Sequence, residues 1–160
     1  MDKNFNTILL SILSLLVLSI FLAYFIEYGL GHKPCALCLY QRYPYFVSIF
    51  LVLNILIFKK YIKFSFLILA LVSLLGSIIA FYHFGIEQGF FIESLVCDAK
   101  NLSQNLSKED ILNQLTKNNI SCKTVTFRVF GLSLASINTI FSFALFGIFL
   151  KLLKNYEVNK

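Results

Sequence analysis

The stretch PCALCLYQRYP, Pro34 to Pro44, decides how this chain is read. Cys35 and Cys38 form a C-x-x-C pair, and Arg42 follows four residues after the second cysteine. Apolar sequence lies on both sides, so a close dithiol and a permanent cation stand where two hydrophobic segments meet water. The spacing permits a disulfide within the pair. A guanidinium near Cys38 favours thiolate over thiol. Such a thiolate suits metal binding or electron transfer, and the flanking sequence has to separate the two.

Outward from this stretch, the 160 residues are 58% hydrophobic and 14% charged. A soluble domain is nearer half apolar and about a quarter charged. Four apolar runs are long enough, or nearly so, to cross a bilayer at about 20 residues each. They cover residues 7–28, 43–58, 64–84 and 129–150. The first lacks a small-residue cleavage site near Glu27 and is longer than the core of a signal peptide, so it is expected to be retained as a helix. The second is short and draws on Leu39 to Arg42 or on Tyr40, Tyr43 and Tyr45 at the interface. Pro44 suits the first turn of that helix, and whether Cys38 and Arg42 share a face depends on where it starts. The third run carries Ser73, Gly76, Ser77 and Ala80, a small-residue face for close helix approach. The expectation is an all-α integral membrane four-helix bundle of one domain, with cysteine-bearing loops at 29–42 and 85–128. In the second loop, Ser107 can cap a short amphipathic helix bearing Ile111, Leu112 and Leu115.

Four spans place both termini on one side and both cysteine loops on the other. Lys and Arg number seven on each side, so the total does not orient the chain. Scored near span ends, KKYIK (59–63) with Lys151 and Lys154 marks the cytoplasmic face. Both termini are then cytoplasmic and all four cysteines, Cys35, Cys38, Cys97 and Cys122, lie on the oxidising side. The net charge of +6 follows the spans and forms no basic stripe with interleaved aromatics, so nucleic acid is not an expected partner.

Two metal readings fit poorly. A structural zinc site built from four cysteines usually repeats the close spacing, whereas 24 residues separate Cys97 from Cys122. Covalent haem requires C-x-x-C-H, and Leu39 stands at the last position. A redox reading uses every feature. The close pair exchanges electrons with a small oxidant dissolved in lipid, for which a quinone is the obvious chemistry. The second pair, on a long loop, reaches a soluble protein, and thiol–disulfide exchange connects the two.

PCALCLYQR (34–42), YHFGIEQG (82–89), Cys97–Asp98, Cys122 and FGLSLASIN (130–138) run in one order along nearly the whole chain. Together they resemble the bacterial disulfide bond formation protein B (DsbB) family, the inner-membrane quinone reductases that reoxidise the soluble thiol oxidase DsbA. The resemblance implies a protein-disulfide oxidoreductase using ubiquinone or menaquinone, in the electron-transport and folding-helper machinery outside the cytoplasm. By it, Cys35–Cys38 is the quinone-facing disulfide and Cys38 the thiolate that donates charge to the quinone. Cys97–Cys122 is the loop disulfide, Cys97 captures the oxidase, and Cys35–Cys122 is an intermediate pairing. Arg42 and His83 are the implied quinone contacts, Gln41 is expected to be solvated, and no metal is implied. Two rival readings are a vitamin K epoxide reductase-like enzyme, in which the loop pair precedes the C-x-x-C, and a membrane scaffold or metal carrier with incidental cysteines.

Overall fold

The computed structural model describes residues 3–58, 61–92, 97, 121–123, 127–129 and 131–158. The Ser107 helix and Lys59 and Lys60 of KKYIK lie outside the described residues. Helix α1 runs Lys3–Tyr24 and closes in a π-helical turn, Phe25–Gly29. Helix α2 (Ala36–Tyr40) and helix α3 (Arg42–Phe58) follow, then α4 (Ile62–Glu87). A two-stranded antiparallel ribbon, β1 (Arg128–Val129) and β2 (Leu132–Ser133), leads into α5 (Leu134–Val158).

Among the described residues, four helical stretches are long and apolar enough to cross a membrane: Phe5–Gly29, Ala36–Phe58, Ile62–Glu87 and Leu134–Tyr156. The all-α bundle expected from the sequence is the observed architecture. Its outer surface is apolar, with Leu10, Phe21, Phe50, Ile57, Leu75 and Ile140 among the exposed side chains. In lipid those faces need no cover, and the helices satisfy their own backbone groups.

Helix α4 is the centre of the bundle and makes its most extensive interface with α5. Ser73, Gly76, Ser77 and Ala80 are buried along it. Gly76 lets α3 approach: a Cβ there would lie 3.3 Å from Pro44 Cβ. Near the chain termini the core is mostly apolar, built from Leu9, Leu16, Val52, Ile55, Phe66, Leu69, Leu145 and Phe149. The other end holds a second buried cluster, Cys35, Leu37, Ile86, Cys97 and Cys122.

Several element ends differ from the sequence expectation. The second span begins at Ala36, not at residue 43, because Cys35 caps α2: its sulfur accepts from the Cys38 backbone N–H at 3.4 Å. Cys38 is therefore a helical residue. The helix breaks at Gln41 and resumes at Arg42, so Pro44 falls in the first turn of α3, where a missing N–H removes no helical bond. The last helix begins at Leu134, not at residue 129. Gly131 takes φ +84° in the connection of the ribbon, and the Ser133 hydroxyl accepts from Ser136 N–H at 3.2 Å to start the helix. An apolar sequence such as VFGLSL hides that turn. Helix α4 continues to Glu87, carrying His83 within the helix and not at its end.

Candidate functional site

The site forms where the first residues of α2 meet the last turns of α4. The cap at Cys35 turns both sulfurs of the C-x-x-C pair inward. The sulfurs of Cys35 and Cys38 are unbonded here and lie 3.0 Å apart, within easy reach of the implied disulfide. The Cys38 thiol donates to Cys35. That bond, together with the His83 contact, pulls the Cys35 thiol down to about 4 against the opposing effect of burial. Arg42, the cation expected beside Cys38, pairs with Glu27.

Cys97 and Cys122 form a disulfide, and both are buried. This disulfide packs against the dithiol instead of standing off on a remote loop. The Cys35 sulfur, the Cys122 sulfur and a ring nitrogen of His83 all lie within 4.8 Å of one another. Three of the four cysteines named from the sequence, with Cys38 at their edge, therefore occupy one buried cluster.

His83 is 3% exposed, one α4 turn before Glu87. Its Nε2 lies 3.5 Å from the Cys35 sulfur and 3.7 Å from Glu87 Oε1. Its Nδ1 accepts from Gln41 Nε2 at 3.1 Å. Gln41 is buried, not solvated as expected, because the helix break aims it into the bundle. Its Oε1 accepts from Asn138 Nδ2 at 2.6 Å, and the Tyr45 and Ser142 hydroxyls both donate to Asn138 Oδ1.

On the other side of Cys38 lies a cavity of about 310 Å³ between α1, α3 and α5. Its walls are mostly apolar, including Ile20, Ala23, Ile26 and Phe141, and its polar groups are Glu27, Cys38, Gln41, Arg42 and Asn138 among others. Arg42 Nη1 pairs with Glu27 Oε2 at 2.6 Å, and its guanidinium lies 4.7 Å from the Tyr24 ring centroid. His83 is not among the lining residues; it contacts the dithiol from outside the cavity. The lining suits a flat apolar ring with polar atoms at its edge.

Sequence reasoning missed Glu27, Asn138 and Glu87 and undervalued Gln41. Glu27 carried a usable signal, since it is the only acid in the run from Thr7 to Tyr28 and ionisable residues inside spans have partners. Gln41 and Asn138 are 97 residues apart, and no spacing rule connects them.

These features coincide with what comparison finds. The family model for disulfide bond formation protein DsbB matches residues 5–152. An uncharacterized protein of Rickettsia prowazekii (strain Madrid E), RP370, is 34% identical over 157 residues, covering 96% of this chain and 88% of that one. No solved structure matches the chain. A membrane bundle with a dithiol packed on a disulfide, matched by that model over nearly its whole length, belongs to the DsbB family of disulfide bond formation proteins.

Proposed function

We propose that the chain is a disulfide:quinone oxidoreductase of the bacterial inner membrane, with both termini cytoplasmic, that reoxidises a soluble DsbA-like thiol oxidase. The observation that carries this reading is the contact of the Cys97–Cys122 disulfide with Cys35, beside a cavity that Cys38 lines.

A thiolate of the partner attacks Cys97, and Cys122 leaves as thiolate. The partner's second thiol then displaces Cys97, so the partner is oxidised and Cys97 and Cys122 are reduced. With the inner pair oxidised, the Cys122 thiolate attacks Cys35 and Cys38 leaves. Cys97 then displaces Cys35 from Cys122, giving a loop disulfide and an inner dithiol. That is the distribution of bonds observed here.

Completing the cycle removes two electrons and two protons from Cys35 and Cys38. A quinone, held by Arg42, Gln41 and the apolar walls, would supply the two-electron acceptor. Arg42 would place positive charge where negative charge develops, and Cys38 is the cysteine that lines the same cavity. His83 supports Cys35 from the opposite side.

The test supplies purified protein with a reduced DsbA-like oxidase and either ubiquinone or menaquinone. Quinone consumption should match oxidase oxidised one for one. Oxidase turnover with neither quinone consumed sinks the reading.

A further inference from the structure

A line of polar side chains, buried except for the half-buried Asn138, leaves the dithiol sideways through His83, Gln41, Asn138 and Tyr45, with Ser142 joining at Asn138. Gln41, His83, Tyr45 and Ser142 are all 9% exposed or less. Polar groups in the interior of a span are retained only when their partners satisfy them. Thiol exchange at Cys35 accounts for His83 but not for the four residues behind it.

The bonds share one sense. Tyr45 and Ser142 donate to the carbonyl of Asn138, and the Asn138 amide donates to the carbonyl of Gln41. The Gln41 amide then donates to His83 Nδ1. A ring nitrogen that accepts a hydrogen bond carries no proton, so the ring hydrogen sits on Nε2. Nε2 is the nitrogen that faces the Cys35 sulfur, 3.5 Å away.

We propose that Gln41, supported by Asn138, is a positioning residue that holds His83 in its Nε2–H tautomer, so that His83 donates to Cys35 and favours its thiolate. In the opposite tautomer Nε2 would turn a lone pair toward the sulfur and repel a thiolate. The groups that face this contact are Cys38 from α2, Glu87 from α4 and Cys122. Glu87 Oε1, 3.7 Å from Nε2, competes for the same hydrogen, and Glu87 Oε2 has no hydrogen-bond partner among the described residues. Cys38 is the stronger influence on Cys35, and His83 acts alongside it. The relay runs from α5 through the break between α2 and α3 to α4, so the tautomer depends on how three helices dock.

The inference rests on thiol exchange at Cys35 but not on the quinone. The experiment uses the full chain in detergent with Cys38, Cys97 and Cys122 each replaced by serine, so that one thiol remains and position 38 keeps a hydroxyl donor. Nitrogen-15 NMR of His83 reports the tautomer, and thiolate ultraviolet absorbance against pH reports Cys35. With Gln41 present, His83 should show one tautomer, protonated at Nε2. Gln41→Leu should mix the tautomers and lower the Cys35 thiolate-to-thiol ratio at a fixed pH about tenfold, one unit of midpoint. Gln41→Glu should place the proton on Nδ1. Asn138→Ala, on another helix, should act in the same direction as Gln41→Leu but less, and keeps the test open if the leucine variant does not fold. An unchanged His83 spectrum in both variants overturns the proposal, as does a tautomer change with the Cys35 midpoint unmoved or lowered. Loss of quinone turnover in the four-cysteine protein with these spectra intact would overturn the proposed function and leave this inference standing.

Discussion

Breaking the pair between Glu27 and Arg42 should cost more than an anchor at a membrane surface could explain. The two side chains are 18% and 12% exposed and lie 2.6 Å apart. Exposed ion pairs contribute about 0–1 kcal/mol. Removing one partner of a fully buried pair costs about 3–5 kcal/mol, because the survivor is left uncompensated. With most of their surface covered but an open cavity at hand, about 2 kcal/mol is the expected coupling between these limits. Arg42→Ala also loses the Tyr24 ring contact, adding about 1 kcal/mol. Glu27→Gln keeps a hydrogen-bond acceptor and should be milder than Arg42→Ala. Removing both charges should cost less than the two single changes added together. Unfolding in mixed micelles of wild type, Glu27→Gln, Arg42→Ala and the double variant measures the coupling. A value below about 0.5 kcal/mol, typical of exposed pairs, refutes the reasoning. The same proteins separate stability from chemistry. Arg42→Ala should raise the quinone KM, whereas Glu27→Gln keeps the guanidinium and should raise it less.

Three other outcomes are expected. Cys122→Ser leaves Cys97 a thiol, which should attack the disulfide of the oxidised oxidase and, with no Cys122 to resolve it, accumulate a mixed disulfide seen by peptide mapping; capture through Cys35 would reverse the order of exchange. After reduction of intact cells, a membrane-impermeant thiol reagent should label Cys97 and Cys122, and labelling that needs a permeabilised inner membrane contradicts the orientation. In the dithiol state, Cys35 has a folded value near 4 against an unfolded value of 9.0. Its thiolate therefore contributes stability that is full above about 9 and is lost as pH falls toward 4. Unfolding midpoints of the reduced protein should rise from pH 5 to pH 8 more steeply than those of Cys35→Ser, and parallel curves rule this out.

The bundle was legible because each span is a continuous apolar run, and lipid leaves a backbone few alternatives to a helix. The ends were less legible. Hydropathy cannot see that Cys35 caps a helix, so Cys38 was assigned to a loop. Nor can it see that Gly131 reverses the chain inside an apolar stretch. The four cysteines stand out in the sequence because their spacing is chemical. Glu27 and Arg42 are 15 residues apart across a turn, and Gln41 meets Asn138 only because α3 and α5 both pack on α4. Contacts of that kind are set by helix docking and leave no period in the sequence. Arg42 shows the difference well. Its charge was evident, but its partner decides where that charge points.

With the Cys122 sulfur already within 4.8 Å of Cys35, the internal exchange needs no search through solution. Its effective molarity is set by packing, not by the loop-closure statistics of the chain between Cys97 and Cys122. Lengthening or rewriting that segment should therefore change how a partner is met while leaving the internal handover at its own pace. In the proposed exchange the two halves are in this sense separately adjustable: recognition by the segment that links the outer cysteines, and electron delivery by the buried cysteine end of the bundle.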